Sequence, residues 1–430
     1  MIPISKESIF ERTGGSSKME ISIPKRITSS RWRISIIYSL LFLFAVGFLD
    51  LSGIIISGTL LLCFLFFPKT KIDSTCLTML LFGVFYLLSL YMYDVVTVDR
   101  IIKFLLLPAG TYYIGFTLAE IDKRGGTTYR LATVLVMGFY IHALLNMSSF
   151  IQINGVDFSL QYRRAYEFWK DNLNLSVTVC NLYSAPMAGY ALGVMFSHKS
   201  IQKKFLSAIA LITVIFTMML YQNRTTVAVI AIIVGITFVG VFFKYGLQSK
   251  MLWFLLFVSL GVAIILINDI WGFRTFLFGT SLFERLQGDP NSASRTEIWF
   301  SFLMGEWWKY PLGGKGVTLA GNSGSYVHNL WLDTWWNTGF VPFVLLFGFT
   351  IKLIVQSYGL LRRRIQDDYK SLIVVYLIGG LLLNFCVEPV LEANPFVFYV
   401  LTFLSGSMQC ETLSMNRSFP VEHKQRSLLR

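Results

Sequence analysis

Charged side chains are scarce in this chain. They make up 14% of its 430 residues, against about a quarter in an ordinary soluble protein. With 54% hydrophobic residues and a mean hydropathy of +0.60, that scarcity argues against a soluble domain and sets a polytopic membrane protein as the expectation. Cysteine is sparse too: Cys63, Cys76, Cys180, Cys386 and Cys410 lie within or beside apolar runs, with no CxxC pair. Neither a disulfide framework nor a cysteine metal site is expected. A cleavable leader is also missing from the pattern. The first apolar run follows Arg31 and Arg33, lacks a small-residue cleavage site and leads straight into another run.

What the chain has instead is apolar runs. They fall at 34–49, 51–67, 75–92, 101–119, 131–149, 173–196, 205–221, 225–243, 251–268, 339–358, 371–387 and 395–410, each read as long enough to span a bilayer. The expectation is an all-α membrane protein of about 12 transmembrane helices, with a weak division between the first two runs at Asp50. Most of the 37 Lys and Arg residues lie in 1–33, 68–74, 120–130, 197–204, 244–250, 359–370 and 411–430, including Arg362, Arg363 and Arg364. The positive-inside rule makes these segments, and both termini, cytoplasmic. The chain then divides into a polar tail (1–33), a transmembrane domain (34–410) and a second tail (411–430). The net charge of +13 reflects topology, and no nucleic-acid partner is implied.

The opposite face carries two larger loops, 150–172 and 269–338, the second lying before the tenth run, and a tight turn at Gln222–Arg224. The most informative stretch is 291–342. Ser294 and Glu297 make a capping box that places Arg295 in a first helical turn. Ile298, Trp299, Phe302, Leu303 and Trp307 follow at helical spacing, which suits a helix lying on a membrane interface. Pro311, Gly313, Gly314 and Gly316 stop it and open a flexible loop. A second helix is expected from near Ser325, with His328 and Asn329 in its first turn. The glycines around Lys315 do not form a nucleotide loop, because Gly316 stands where Ser or Thr is required.

The polar residues of this face each have two readings. Arg163, Arg164, Arg224, Arg274, Arg285 and Arg295 bind lipid headgroups or finish loops, or else they gather around a diphosphate, whose oxygens accept bidentate charge-assisted bonds. Arg224 weighs more because it sits between two apolar runs, where an unpartnered charge is costly. Among the four histidines, His198 and His423 are expected to be solvated, and His142 to pack or hydrogen-bond between helices. His328, at a helix start, is expected to stay neutral and able to accept a proton. Glu388 and Glu392 orient an arginine, bind sugar or merely solvate a turn. Trp299, Trp307, Trp308, Trp331, Trp335 and Trp336 read mostly as an interfacial belt, with one or two available to stack on sugar rings.

The run R-T-E-I-W (295–299), then Y-P-L-G-G-K-G (310–316), H-N-L-W-L-D (328–333) and Gly339 resembles the bacterial O-antigen ligase and O-antigen polymerase superfamily. The N-R-T-T turn at 223–226 looks like that family's arginine turn, and R-R-A-Y-E-F-W (163–169) is similar to its arginine-bearing loop. The resemblance covers the chain apart from residues 1–30 and the last tail. It implies a GT-C-like glycosyltransferase that takes a glycan from an undecaprenyl-diphosphate carrier at the outer face of the cytoplasmic membrane. No cofactor or metal is implied. The resemblance assigns His328 as base or acceptor-orienting group. Arg224, Arg295 and either Arg163 or Arg164 hold the diphosphate, while Asn329, Lys315 and Glu388 contact substrate. Polymerase is favoured over ligase, and a lipid-linked oligosaccharide flippase or other transporter is the reading from a different class. A flippase and a chain-length regulator are the implied partners, beside membrane lipid.

Overall fold

The computed structural model describes residues 25–418 apart from 69, 123–125, 161–163, 170–173, 177–181, 246–247, 249, 288–298, 301, 315–326, 365–368 and 389. It is a helical bundle. In chain order the helices are α1 (Lys25–Val46), α2 (Ser52–Phe66), α3 (Ser74–Tyr91), α4 (Val98–Ile121), α5 (Thr127–Asn154), α6 (Ser184–Ser197), α7 (Ile201–Leu220), α8 (Arg224–Tyr245) and α9 (Lys250–Ile267). After two short helices, α10 (Phe273–Phe278) and α11 (Ser281–Gln287), come α12 (Leu330–Thr338), α13 (Phe340–Arg364), α14 (Tyr369–Phe385), the single turn α15 (Val390–Ala393) and α16 (Pro395–Ser418).

Among the described residues six helices are long and apolar enough to cross a membrane: α3, α4, α5, α7, most of α8 and most of α13. The bent pair Leu256–Ile267 and Ile270–Phe278, turning through 92°, makes a seventh if it is one span. This is a membrane protein, although the full expected set of spans is not met. Every expected run contains a helix, but α6 has only 14 residues and α14 only 17. The run 173–196 divides: residues 174–176 form a strand, and the helix starts only at Ser184. That strand pairs with Arg164–Tyr166 in a short antiparallel ribbon, β1–β2, within the expected helical fold. The break at Asp50 is well defined. Gly47, Leu49 and Asp50 all have positive φ, and the Ser52 hydroxyl donates to the Phe44 carbonyl across the gap.

Bilayer lipid gives little drive for helices to associate, so close approach depends on small residues and buried polar bonds. Helices α4 and α16 meet at Gly115 and Gly406. A side chain at either would overlap backbone of the other helix, at Phe403 or Tyr112. Beside this crossing the Thr111 and Thr402 hydroxyls share a 2.6 Å bond. Helices α6 and α14 repeat the device, with Gly189 against Tyr376 and Gly380 against Ala185. Within α4 the stretch Ile101–Leu106 widens to π-helical bonding just before Pro108. Proline has no N–H to give, which leaves the Lys103 carbonyl without its helical donor. The Tyr399 hydroxyl of α16 supplies one at 2.7 Å.

One end of the bundle is closed by short polar bonds. Asp73 caps α3 at Cys76 (2.9 Å) and accepts from the Tyr112 hydroxyl (2.8 Å). Arg130 pairs with Asp122, and Glu411 accepts from the Thr128 amide at 3.3 Å. His198 lies at this end and is buried, contrary to the solvated position expected for it. Its Nδ1 accepts from the Ser200 amide at 2.9 Å, and its ring packs edge-on to Tyr369. His142 lies between helices and bonds from α5 to the end of α1, as expected. His423 falls outside the described residues.

Candidate functional site

The other end of the bundle brings distant turns together, and the α7–α8 turn is the first of them. Asn223 caps α8: its side-chain oxygen accepts from the Thr226 amide at 3.1 Å, and its Nδ2 donates to the Thr226 hydroxyl at 2.6 Å. Gln222, with φ 53°, reverses the chain and donates to the Leu160 carbonyl at 2.5 Å. Arg224 is therefore the first residue of α8 and is exposed, set at the positive end of a helix of 22 residues. Its neighbour Thr225 donates to Glu388 Oε1 at 2.8 Å.

Glu388 is buried in the turn that follows α14. The same turn receives Asn329, whose Nδ2 donates to the Cys386 carbonyl at 3.0 Å. Asn329 is the N-cap of α12, with its side-chain oxygen accepting from the amides of Trp331 and Leu332, each at 3.1 Å. The helix thus begins at Leu330, later than expected, and His328 precedes it rather than lying in its first turn. An N-cap must be non-helical, and the Asn side chain satisfies the first free amides best at that place.

His328 is half-buried with a left-handed backbone, φ 59°, a conformation costing a non-glycine residue roughly 1–2 kcal/mol. Its neighbours hold it there. The buried Asp333 carboxylate accepts from the Val327 amide at 2.6 Å and the Asn329 amide at 3.0 Å, bracketing the histidine. The Trp299 indole donates to the Val327 carbonyl at 2.7 Å. Strain of this kind persists only where the surroundings over-determine it, and it is commonest at functional sites.

Two hydrogen bonds therefore meet at the turn after α14: Asn329, next to His328, bonds the Cys386 carbonyl, and Glu388 of the same turn bonds Thr225, next to Arg224. Gln222, two residues before Arg224, bonds the Leu160 carbonyl, which also accepts from the Ser281 hydroxyl at 3.1 Å. Strand β1 begins at Arg164, four residues after Leu160 in the chain. Arg163, Arg295 and Lys315 lie outside the described residues, as do Ser294 and Glu297 of the expected capping box. Among the described residues no three His, Cys, Asp or Glu side chains come together as metal ligands.

Of the loop expected after Pro311, only residues up to Gly314 are described, and Gly316 lies outside the described residues. Pro311–Gly314 is docked on the end of α12: Tyr93 donates to the Gly313 carbonyl (2.9 Å), the Gly314 amide to Asn337 (3.0 Å) and the Phe340 amide to Pro311 (2.9 Å). Gly314 lies against the Tyr93 ring where no side chain fits, so these glycines serve close packing. The helix ahead of them is helical at Trp299, widens to a π turn at Phe302–Glu306 and ends in a 3-10 turn at Trp307–Lys309. Its tryptophan partners are not all at a surface. Trp335 and Trp336 are buried around Phe302, and Trp331 donates to the Thr350 hydroxyl at 2.9 Å, while Trp308 is exposed.

Thr225 and Asp333 do not stand out in the residue patterns, although both sit inside the N-R-T-T and H-N-L-W-L-D motifs. The signal for Asp333 is its position four residues after Asn329, in the first turn of a helix. Compared with known proteins, the chain matches no family profile and no curated protein.

Proposed function

We propose that the chain is a membrane glycosyltransferase acting on a polyprenyl-diphosphate-linked glycan, and that it joins lipid-linked repeat units into a surface polysaccharide. The observation that carries this reading is the pair of hydrogen bonds, Thr225 to Glu388 and Asn329 to the Cys386 carbonyl, that brings the helix starts bearing Arg224 and His328 to one turn at one end of an apolar bundle. A cation at a helix start, a buried carboxylate and a strained histidine together suit the release of a diphosphate coupled to the activation of a hydroxyl.

In this mechanism the acceptor sugar hydroxyl attacks the anomeric carbon of the donor, and the bond from that carbon to the diphosphate oxygen breaks on the opposite side, with inversion. His328 takes the hydroxyl proton. Arg224 and Arg295 neutralise the charge growing on the departing diphosphate, and an arginine of the 163–164 pair binds the diphosphate of the donor. Glu388, held by Thr225, orients Arg224 or a sugar hydroxyl. Asn329 fixes the approach of His328. The donor is already activated, so the reaction needs no nucleotide. In a bacterium the protein would lie in the cytoplasmic membrane, with this end towards the periplasm. A ligase that moves finished glycan onto lipid A–core shares the same donor chemistry. The aromatic, glycine-rich segment ahead of His328 favours a sugar acceptor and thus the polymerase.

Deleting the gene and analysing surface polysaccharide together with the carrier-linked pool tests this reading. Core bearing at most a single repeat unit, with no long polymer on the carrier, is the expected result. Bare core with long polymer stranded on the carrier would make the protein a ligase. An unchanged polysaccharide and carrier pool would contradict both.

A further inference from the structure

A second buried polar chain, away from His328, points at the arginine-bearing ribbon. His142 and Asn146 lie one turn apart on α5, and both are buried. His142 Nδ1 is 2.9 Å from the Val46 carbonyl at the end of α1, and its Nε2 is 2.9 Å from Asn146 Nδ2. The Asn146 side-chain oxygen in turn accepts from the Phe168 amide at 3.0 Å. Gly47, with φ 69°, allows the approach: a side chain there would press on the imidazole.

The chemistry of the two ends fixes every proton between them. A carbonyl only accepts, so Nδ1 carries the imidazole hydrogen and Nε2 must accept. The Asn146 amide must then turn its NH2 to the histidine and its oxygen away. The Phe168 amide only donates, and from the other side it demands that same oxygen. Both constraints select one tautomer and one amide orientation. The chain is therefore polarised from α1 to a point two residues past β1, the strand Arg164–Tyr166. The adjacent ring contact of Phe48 with Trp169, at 5.3 Å, seats the same segment on the bundle.

We propose that His142 and Asn146 are positioning residues for the glycosyl donor: they pin the backbone of the ribbon β1–β2 to the membrane bundle, and with it Arg164, which the reading above assigns to the diphosphate. This rests on the functional reading above. A preset cation adds to the binding of donor and transition state alike, so its loss raises KM with little change in kcat.

The test uses the full chain in lipid nanodiscs, with lipid-linked oligosaccharide extracted from the deletion strain as donor. Asn146→Leu removes both bonds. Asn146→Asp keeps an acceptor for the Phe168 amide and, as the neutral acid, an O–H donor for His142 Nε2, so it serves as the conservative rescue. In Asn146→Leu the Phe168 amide should exchange with solvent at least about tenfold faster while α4 and α16 stay protected. Donor KM should rise about tenfold with kcat changed much less. Asn146→Asp should restore both. Unchanged exchange at Phe168 in Asn146→Leu would overturn the relay itself. Faster exchange with unchanged KM would overturn the positioning role. Arg164→Ala then separates the causes: a raised donor KM there leaves the site reading intact and confines the failure to the relay, whereas an unchanged KM removes the ribbon from the site.

Discussion

The Thr225 hydroxyl donates to the Glu388 carboxylate at 2.8 Å across 163 residues of chain. This bond joins the start of α8 to the turn after α14, and both turns carry residues of the candidate site. Removing it should loosen that junction. Thr225→Val loses this buried hydrogen bond and should cost about 1–3 kcal/mol. Glu388→Gln keeps an acceptor but not the charge. It should fold almost normally and lose turnover by more than about tenfold. Thermal unfolding in detergent with a glycosyl-transfer assay separates the two, and full activity in Glu388→Gln would remove the charge from the mechanism.

The α4–α16 crossing makes a prediction independent of function. Gly115→Ala or Gly406→Ala drives a methyl into the opposing backbone and should destabilise the protein by at least about 1–3 kcal/mol. Gly53→Ala and Gly235→Ala face open space and serve as controls. Equal unfolding temperatures for the two sets would show that the crossing is not close-packed.

Gly314→Ala should undock the glycine turn, because its backbone has φ 91° and the Tyr93 ring fills the space beside it. The loss should exceed that of Tyr93→Phe, which forfeits only the bond to Gly313, about 0.5–1.5 kcal/mol. Proteolytic sensitivity of the neighbouring chain reports the undocking. A Gly314→Ala protein as resistant as the parent would contradict the docked turn.

The buried His198 supplies a pH dependence. Burial, with Lys203 and Lys204 nearby, holds its pKa below the ordinary histidine value, so the folded protein keeps it neutral. Its stabilising contribution is present above about pH 6.5, the ordinary histidine value, and is lost as pH falls below it. Protonation also sets an N–H on Nδ1 against the Ser200 amide. The unfolding temperature should drop on acidification more in the parent than in His198→Phe. Parallel curves would show that this histidine titrates freely.

The positions of the helices are legible in the sequence because apolar runs are long and turn residues mark their ends. The division at Asp50 shows this: Gly47 and the polar Asp50 between apolar stretches are signals that single residues carry. The α12 start differs from its expected place by a few residues, since Ser325 and Asn329 are both good caps and only the fold decides between them. The ribbon β1–β2 is hidden because strands of three residues have no readable period. Asn329, Glu388 and Arg224 are readable as polar residues at helix ends facing one side. Their connection is not, because the bonds through Thr225 and Cys386 join turns far apart in the chain. His198 shows the converse: a polar residue beside lysines reads as solvated, and only packing against Tyr369 buries it.

His328→Ala tests the central claim most directly. The variant is expressed in the deletion strain, its membrane insertion is checked, and polymer length is measured on extracted polysaccharide. The predicted result is normal insertion with turnover reduced by at least about a hundredfold, the scale of a lost general base, and no long polymer. Long polymer at the parental level from a well-inserted His328→Ala protein would contradict it.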